Sequence, residues 1–423
     1  MAPLWYTSGA TPFPASESRP TMHRPINATV YRDVRPMGAE ATDLLVVDGV
    51  FTDRVPRSAA AEVLQVVDGG GRIALPTLVD AHIHADKTAF GEPWYSRHPA
   101  AGLAEFVQGD VELYQAQATP VAVRAQRLLS HAVTQGTRAV RTHVDVAPAY
   151  GLDPLHGLAA AREALRGSLD VEIVAFPQHG VRRLPGVTEL LEEAVRTGLA
   201  DIIGGLDPAG FDDDQQGQLD AVFGIAERYG VGIDIHMHDA GEEGMGPLRD
   251  ICARTRALGL GGRVTISHAF CLSRLAGLTE KEFDEATTQL ADAGVALTTA
   301  ALGEASVLPF RELTARGVLV ALGSDSVRDA WSPFGNADML HRAHLLGCCV
   351  EARLDEDLDA CLALAAHGGA ALLGLPAVDF TPGSPADFML VEGECVPQVV
   401  VDLPPRDIVV RAGEIVARAG RLV

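Results

Sequence analysis

The chain has 423 residues, 47% hydrophobic and 21% charged, the make-up of a globular protein with room for one large domain and a smaller one. Its 34 Lys and Arg against 56 Asp and Glu give a net charge of −22, which argues against an extended nucleic-acid surface, because phosphate binding needs clustered basic side chains. There is no apolar run of about 18 residues to span a bilayer, Met1–Tyr6 lacks the basic start and apolar core of a signal peptide, and the six cysteines include no Cys-x-x-Cys pair. We therefore expect a cytoplasmic protein with free thiols and no membrane or nucleic-acid partner.

Residues 1–40 are rich in Pro, Ser and Thr without a steady period, and read as an extended arm, compatible with a homo-oligomer. Short apolar runs follow, Leu44–Val47 and Val63–Val67, and the same pattern returns at the other end in Phe388–Val391, Gln398–Val401, Ile408–Val410 and Glu414–Val416. Residues 41–75 and 379–423 are expected to form one small β-sandwich domain, with residues 76–378 inserted between them.

That insert alternates β-rich runs with amphipathic stretches. The first run, Ile73–Ala81, reads as one buried strand leading into His82 and His84. The others are Arg138–Val144, Val171–Phe176, Ala200–Ile203, Gly232–His236, Arg263–His268, Gly294–Thr298 and Gly317–Leu322. Eight strands with intervening helices predict an α/β fold, a (β/α)8 TIM barrel.

Almost every run ends in a residue that can do chemistry. His82 and His84 are two apart, so in a strand both imidazoles aim the same way. Later strand ends carry His143 and Asp145, Gln178 and His179, His236, His238 and Asp239, His268, and Asp325. Seven further histidines, such as His23, His98 and His367, fall at no strand end and read as surface or packing residues. His82, His84, His236 and Asp325 supply three imidazoles and a carboxylate, a mixed shell that suits one divalent ion such as Zn²⁺ or Fe²⁺. Such an ion brings the pKa of a bound water toward about 7. A nearby carboxylate and His268 could then move protons between water and substrate. This is the chemistry of hydrolysis at an electrophilic carbon.

At these residues the chain resembles the amidohydrolase superfamily, and within it the cytosine-deaminase-like branch. The matching stretches are Asp80–Thr88, Arg141–Val146, Ala175–Gly180, Ile233–His236, Val264–His268, and Gly323–Ser326 through Trp331–Asn336, with Gly383–Phe388 returning the chain to the small domain. The resemblance implies one metal ion on His82, His84, His236 and Asp325. It implies that His268 positions the attacking water and that Asp325 takes a proton from it. It also implies that Gln178 reads the amide-like edge of a nitrogen heterocycle and that Trp331 forms part of the pocket. Binuclear members carry a lysine at the fourth strand end, and Ala200–Gly205 has none.

Three departures bear on the substrate. Asp239 stands where cytosine deaminases carry their proton-shuttling Glu and is one methylene shorter. A misplacement of about 1 Å can cost on the order of a hundredfold in rate, so Glu242 and His238 remain candidates beside Asp239. Ser326 stands where a second Asp contacts cytosine, which puts cytosine itself in doubt. Lys87, at the mouth of the first strand, either meets an anionic group of the substrate or pairs with Asp86 or another acid. The expected function is metal-dependent hydrolysis at a C–N carbon of a small nitrogen heterocycle, with deamination preferred. Cleavage of an amide or N-substituted ring amine without ammonia release is the alternative. From another class, a binding barrel that has lost turnover also accommodates the altered base position.

Overall fold

The structure is a computed structural model and describes residues 28–54, 64–303 and 306–423. Four strands precede the barrel: β1 (Ala28–Pro36), β2 (Thr42–Val47), β3 (Val50–Thr52) and β4 (Leu64–Pro76). The barrel strands are β5 (Leu78–Ile83), β6 (Thr137–Asp145), β7 (Asp170–Phe176), β8 (Ile202–Leu206), β9 (Gly232–His236), β10 (Val264–Ser267), β11 (Val295–Thr299) and β12 (Val320–Leu322). After them come β13 (Phe388–Val391), β14 (Arg406–Arg411), β15 (Glu414–Arg418) and β16 (Arg421–Leu422).

Strands β5 to β12 pair in parallel and in sequence order, with helices between them. Their residues are nearly all buried, as expected of parallel strands covered on both faces. The intervening helices carry local signals. Thr279 and Glu282 form a capping box at the start of Glu280–Ala293, and Gly294 ends that helix at φ 63°. The ring closes where Ile83 bridges to Asp325: Asp325 N–H donates to His82 O (2.7 Å) and His84 N–H to Asp325 O (3.3 Å). Asp80 clasps this seam from inside, its Oδ1 accepting from the backbone N–H of His82 (3.3 Å) and Ser324 (2.9 Å). Glycine is required at 323, because a Cβ there would lie 2.8 Å from His82 N and 2.6 Å from His82 O. Closure therefore places the first and last strands' functional residues side by side.

The remaining strands form one mixed sheet in the order β16-β15-β14-β13-β4-β1-β2-β3. Phe51 of β3 and Phe388 of β13 have three strands between them in that order, yet their rings lie 5.6 Å apart. The sheet thus folds over a shared core that includes Tyr31, Phe51, Phe388 and Val410, and both chain ends build it, as expected.

Several boundaries differ from the sequence reading. Ala28–Pro36 is a strand paired with β2 and β4, so the arm expected over residues 1–40 does not extend to residue 40; residues 1–27 lie outside the described residues. The single strand Ile73–Ala81 is two. Pro76 ends β4 in the mixed sheet, Thr77 N–H turns to Asp387 O (3.1 Å), and β5 starts at Leu78 in the barrel. Gln398–Val401 belongs to a helix, Val396–Asp402, with Pro397 in its first turn. Its buried residues Val396, Val399 and Val400 follow helical spacing, which overrides the β preference of valine. Strand β8 runs to Leu206, three residues past the predicted end. No helix among the described residues is long and apolar enough to cross a membrane.

Candidate active site

Five titratable side chains from four strand ends, His82, His84, His236, His268 and Asp325, converge at the C-terminal mouth of the barrel. His84 Nε2 lies 3.3 Å from His236 Nε2 and 3.4 Å from Asp325 Oδ1, and His82 Nε2 lies 3.6 Å from the same oxygen. His268 Nε2 is 4.0 Å from Asp325 Oδ2. His268 and Asp325 both hold positive φ, 71° and 59°, a conformation costing of order 1 kcal/mol that the packed mouth enforces. Burial drives the pKa of His84, His236 and His268 well below the ordinary value, so these imidazoles are neutral. Burial opposes the charge of Asp325, but the imidazoles of His82, His268 and His84 around it hold its carboxyl well below the usual range.

These residues fit a metal ion. His82, His84 and Asp325 bring their donor atoms within 4.8 Å of one another, and so do His82, His236 and His268. The tautomer of His82 follows from its neighbours. Ser267 Oγ donates to Asp234 Oδ1 (2.6 Å), so toward His82 Nδ1 (2.9 Å) it can only accept. The proton therefore sits on Nδ1, and Nε2, buried without a partner, faces the cluster as a free donor pair. Arg141 completes the support, donating to Asp234 Oδ2 (2.9 Å), Thr265 Oγ1 (2.9 Å) and Glu172 Oε2 (2.7 Å). Ser267→Ala should weaken metal affinity about 10- to 100-fold in a chelator competition; unchanged affinity would mean that this anchor is idle.

The cluster opens into a cavity of about 330 Å³ including its mouth, lined by His84, Lys87, Gln178, His236, His238, His268, Asp325, Ser326, Asp329 and Trp331. All five substrate-contact residues expected from sequence line it: Gln178, Trp331, Ser326, Lys87 and His238. His238 stacks on His268 with ring centroids 4.7 Å apart. Its Nδ1–H donates to Asp207 Oδ2 (2.8 Å), and Asp207 Oδ1 takes the backbone N–H of His238 (2.5 Å) and Asp239 (3.3 Å). Burial opposes the imidazolium, but the Asp207 carboxylate outweighs it and raises the pKa of His238.

Asp239 is placed differently. Its Oδ2 accepts from Gly210 N–H (2.8 Å), and its side chain is not among those lining the cavity. Burial, with Asp207 nearby, raises its pKa to about 6. Glu242 is exposed and paired with Arg249. His143 lies beneath the cluster, 3.4 Å from Asp234 Oδ1, with burial lowering its pKa to about 4.

Lys87 meets acids. Its Nζ lies 3.0 Å from Asp110 Oδ2, 3.2 Å from Asp145 Oδ1 and 2.5 Å from Gln178 Oε1. Burial opposes its charge, but Asp110 and Asp145 keep it protonated. Burial also pushes the carboxyls of Asp86 and Asp110 up to about 7 and about 6.

Sequence reasoning passed over Asp110, Asp207, Asp234, Ser267 and Asp329. Strand alternation could have flagged Asp234, which shares a face with His236. Asp207 stands one residue past β8, at the fourth strand end, and its position directly after a β-run is the signal that marks it. Asp110, inside the helix Leu103–Ala116, carried no local signal.

A closed parallel barrel with imidazoles and a carboxylate gathered at its C-terminal mouth defines a metal-dependent barrel hydrolase. Residues 65–423 match the model of the amidohydrolase family, and the chain belongs to that family. It is 33% identical over 356 residues to the uncharacterised protein YahJ of Escherichia coli, covering 82% of this chain and 76% of YahJ. It is 30% identical over 381 residues to N-isopropylammelide isopropyl amidohydrolase of Pseudomonas sp., covering 88% of this chain and 93% of that one. The crystal structure of N-isopropylammelide isopropylaminohydrolase from Burkholderia multivorans superposes with a TM-score of 0.87 at 39% identity, covering 94% of this chain and all of that one. The protein is a hydrolase of carbon–nitrogen bonds other than peptide bonds.

Proposed function

We propose that the protein hydrolyses the bond between a ring carbon and an exocyclic nitrogen of a small heterocycle. Water adds at the carbon, the C–N bond breaks, an amine leaves, and the ring keeps an oxo oxygen. The observation that carries this reading is a single cavity lined both by Gln178 and by His84, His236 and Asp325 of the cluster. The likeness to two N-isopropylammelide hydrolases favours a substituted amine over ammonia as the leaving group, and so favours the second of the two enzyme readings made from sequence.

His82, His84, His236 and Asp325 would hold one divalent ion, whose chemistry is the activation of water near neutral pH. Asp325 Oδ2 accepts the proton of the attacking water, and His268 Nε2, neutral by burial, orients that water. His238 carries the second proton transfer. Asp207 fixes its Nδ1–H and leaves Nε2–H to protonate the departing nitrogen. Asp239, hydrogen-bonded to Gly210, supports the loop after β9 and does not meet the substrate.

The test is a screen of amino- and alkylamino-substituted triazines and pyrimidines with Zn²⁺- and Fe²⁺-loaded protein, assaying alkylamine and ammonia separately. Ammonia without alkylamine would reverse the leaving-group assignment, and no turnover of any ring would overturn the substrate class. Asp207→Asn should lower kcat about 10²-fold or more, while Asp239→Asn should stay within about threefold. The opposite order returns the proton relay to Asp239.

A further inference from the structure

Lys87 lines the pocket, but the three groups around its ammonium are all oxygens: Asp110 Oδ2 at 3.0 Å, Asp145 Oδ1 at 3.2 Å and Gln178 Oε1 at 2.5 Å. Its hydrogen bonds go to Asp110 and Gln178, and Asp145 stands beside it as a further counter-charge, so the protein itself holds the ammonium. The contact to Gln178 has a chemical consequence. Amide N and O are usually hard to tell apart, but lysine only donates, so the atom facing it must be Oε1. The amide NH₂ is then the end of Gln178 left free of Lys87, on a side chain that lines the cavity.

Asp110 holds a second part of the wall. Its Oδ2 also accepts the indole N–H of Trp331 (2.5 Å), and Phe106 stacks on Trp331 with centroids 5.0 Å apart and planes 20° apart. Lys87, Asp110 and Gln178 are all buried. A buried charged network has few alternative arrangements that satisfy its members, so the orientation of Gln178 is built in before any ligand arrives.

We propose that the Asp110–Lys87 pair sets the hydrogen-bonding polarity of the pocket. It presents Gln178 as a donor, so the site takes rings with an oxo oxygen on that edge and rejects rings with an amino group there. Lys87 and Asp110 are positioning residues, and Gln178 touches the ring. This deepens the function proposed above and rests on it: it adds that the substrate carries an oxo group besides the amine to be removed. A ring with an amino group at that edge sets donor against donor and leaves the buried amide unpaired, the situation in which built hydrogen-bonding sites discriminate most strongly.

The experiment is calorimetric titration of the metal-loaded full-length protein with uracil and with 2,4-diaminopyrimidine, at mildly alkaline pH where both rings are neutral. The parent should bind uracil at least about tenfold more tightly. Lys87→Met frees the amide to rotate, and the ratio should fall to within about threefold. A merely structural lysine would weaken both rings alike, and an unchanged ratio overturns the proposal. Gln178→Glu keeps an oxygen for Lys87 and replaces the NH₂ by a second oxygen, so uracil binding should drop at least about tenfold. If Lys87→Met does not fold, this variant decides alone: undiminished uracil binding would mean that the amide oxygen already faces the ring. Equal binding of both rings by the parent defeats this proposal and leaves the proposed function standing. Binding of neither defeats this proposal, and the function proposed above is then decided by turnover in the screen.

Discussion

His236→Ala should abolish turnover, lowering kcat/KM by about 10⁴-fold or more, roughly 5 kcal/mol of transition-state stabilisation. The imidazole comes from the last residue of β9, and its Nε2 is 3.3 Å from His84 Nε2, so its loss opens the shell on the side facing His238 and Phe176. Elemental analysis should find less than about half an equivalent of metal in the purified variant, against about one in the parent. The strand should stay in place, because Leu206, Ser267 and their neighbours hold it by backbone pairing, so far-UV circular dichroism should not change. A His236→Ala protein that keeps more than about a tenth of the parent rate would remove this histidine from the chemistry.

The second large effect concerns stability. Arg141 lies inside the barrel and donates to Glu172, Asp234 and Thr265. Its pKa is raised: burial opposes the charge, and the two carboxylates outweigh it. Arg141→Met removes the cation and leaves Asp234, fully buried, without its main counter-charge. Breaking a buried pair from one side costs about 3–5 kcal/mol. In a chain of this size that corresponds to a fall in Tm on the order of 5 °C. Because Asp234 holds Ser267 and Ser267 holds His82, the folded fraction should also bind metal more weakly than the parent. A Tm within about 1 °C of the parent would show that the barrel interior tolerates the unpaired aspartate.

The site was legible in sequence where function follows from strand position. His82 and His84 are two apart in a strand, and His236, His268 and Asp325 close later β-runs; a parallel barrel sends all such ends to one mouth. The same logic, applied to the residue directly after each strand, would have found Asp207. What failed was local. The run Ile73–Ala81 is continuous in hydrophobicity, and only the change of partner at Pro76 and Thr77 splits it between two sheets. Val396, Val399 and Val400 look like strand residues by type and are helical by spacing. The Pro- and Thr-rich start hid β1, an interior strand held in place by its pairing with residues 42–47 and 64–74.

By itself, the sequence determined the barrel, the order of its strands, and the placing of three imidazoles and one carboxylate at their ends, because strand period and topology convert spacing directly into direction. It also placed Lys87 and Gln178 near the pocket. Only the tertiary structure decided how these residues are used. It paired His238 with Asp207 and turned Asp239 to Gly210, and it brought Asp110 from a distant helix to Lys87, which fixes the amide of Gln178. Those contacts join residues 23 to 91 positions apart, and nothing in the local sequence around either partner records that match.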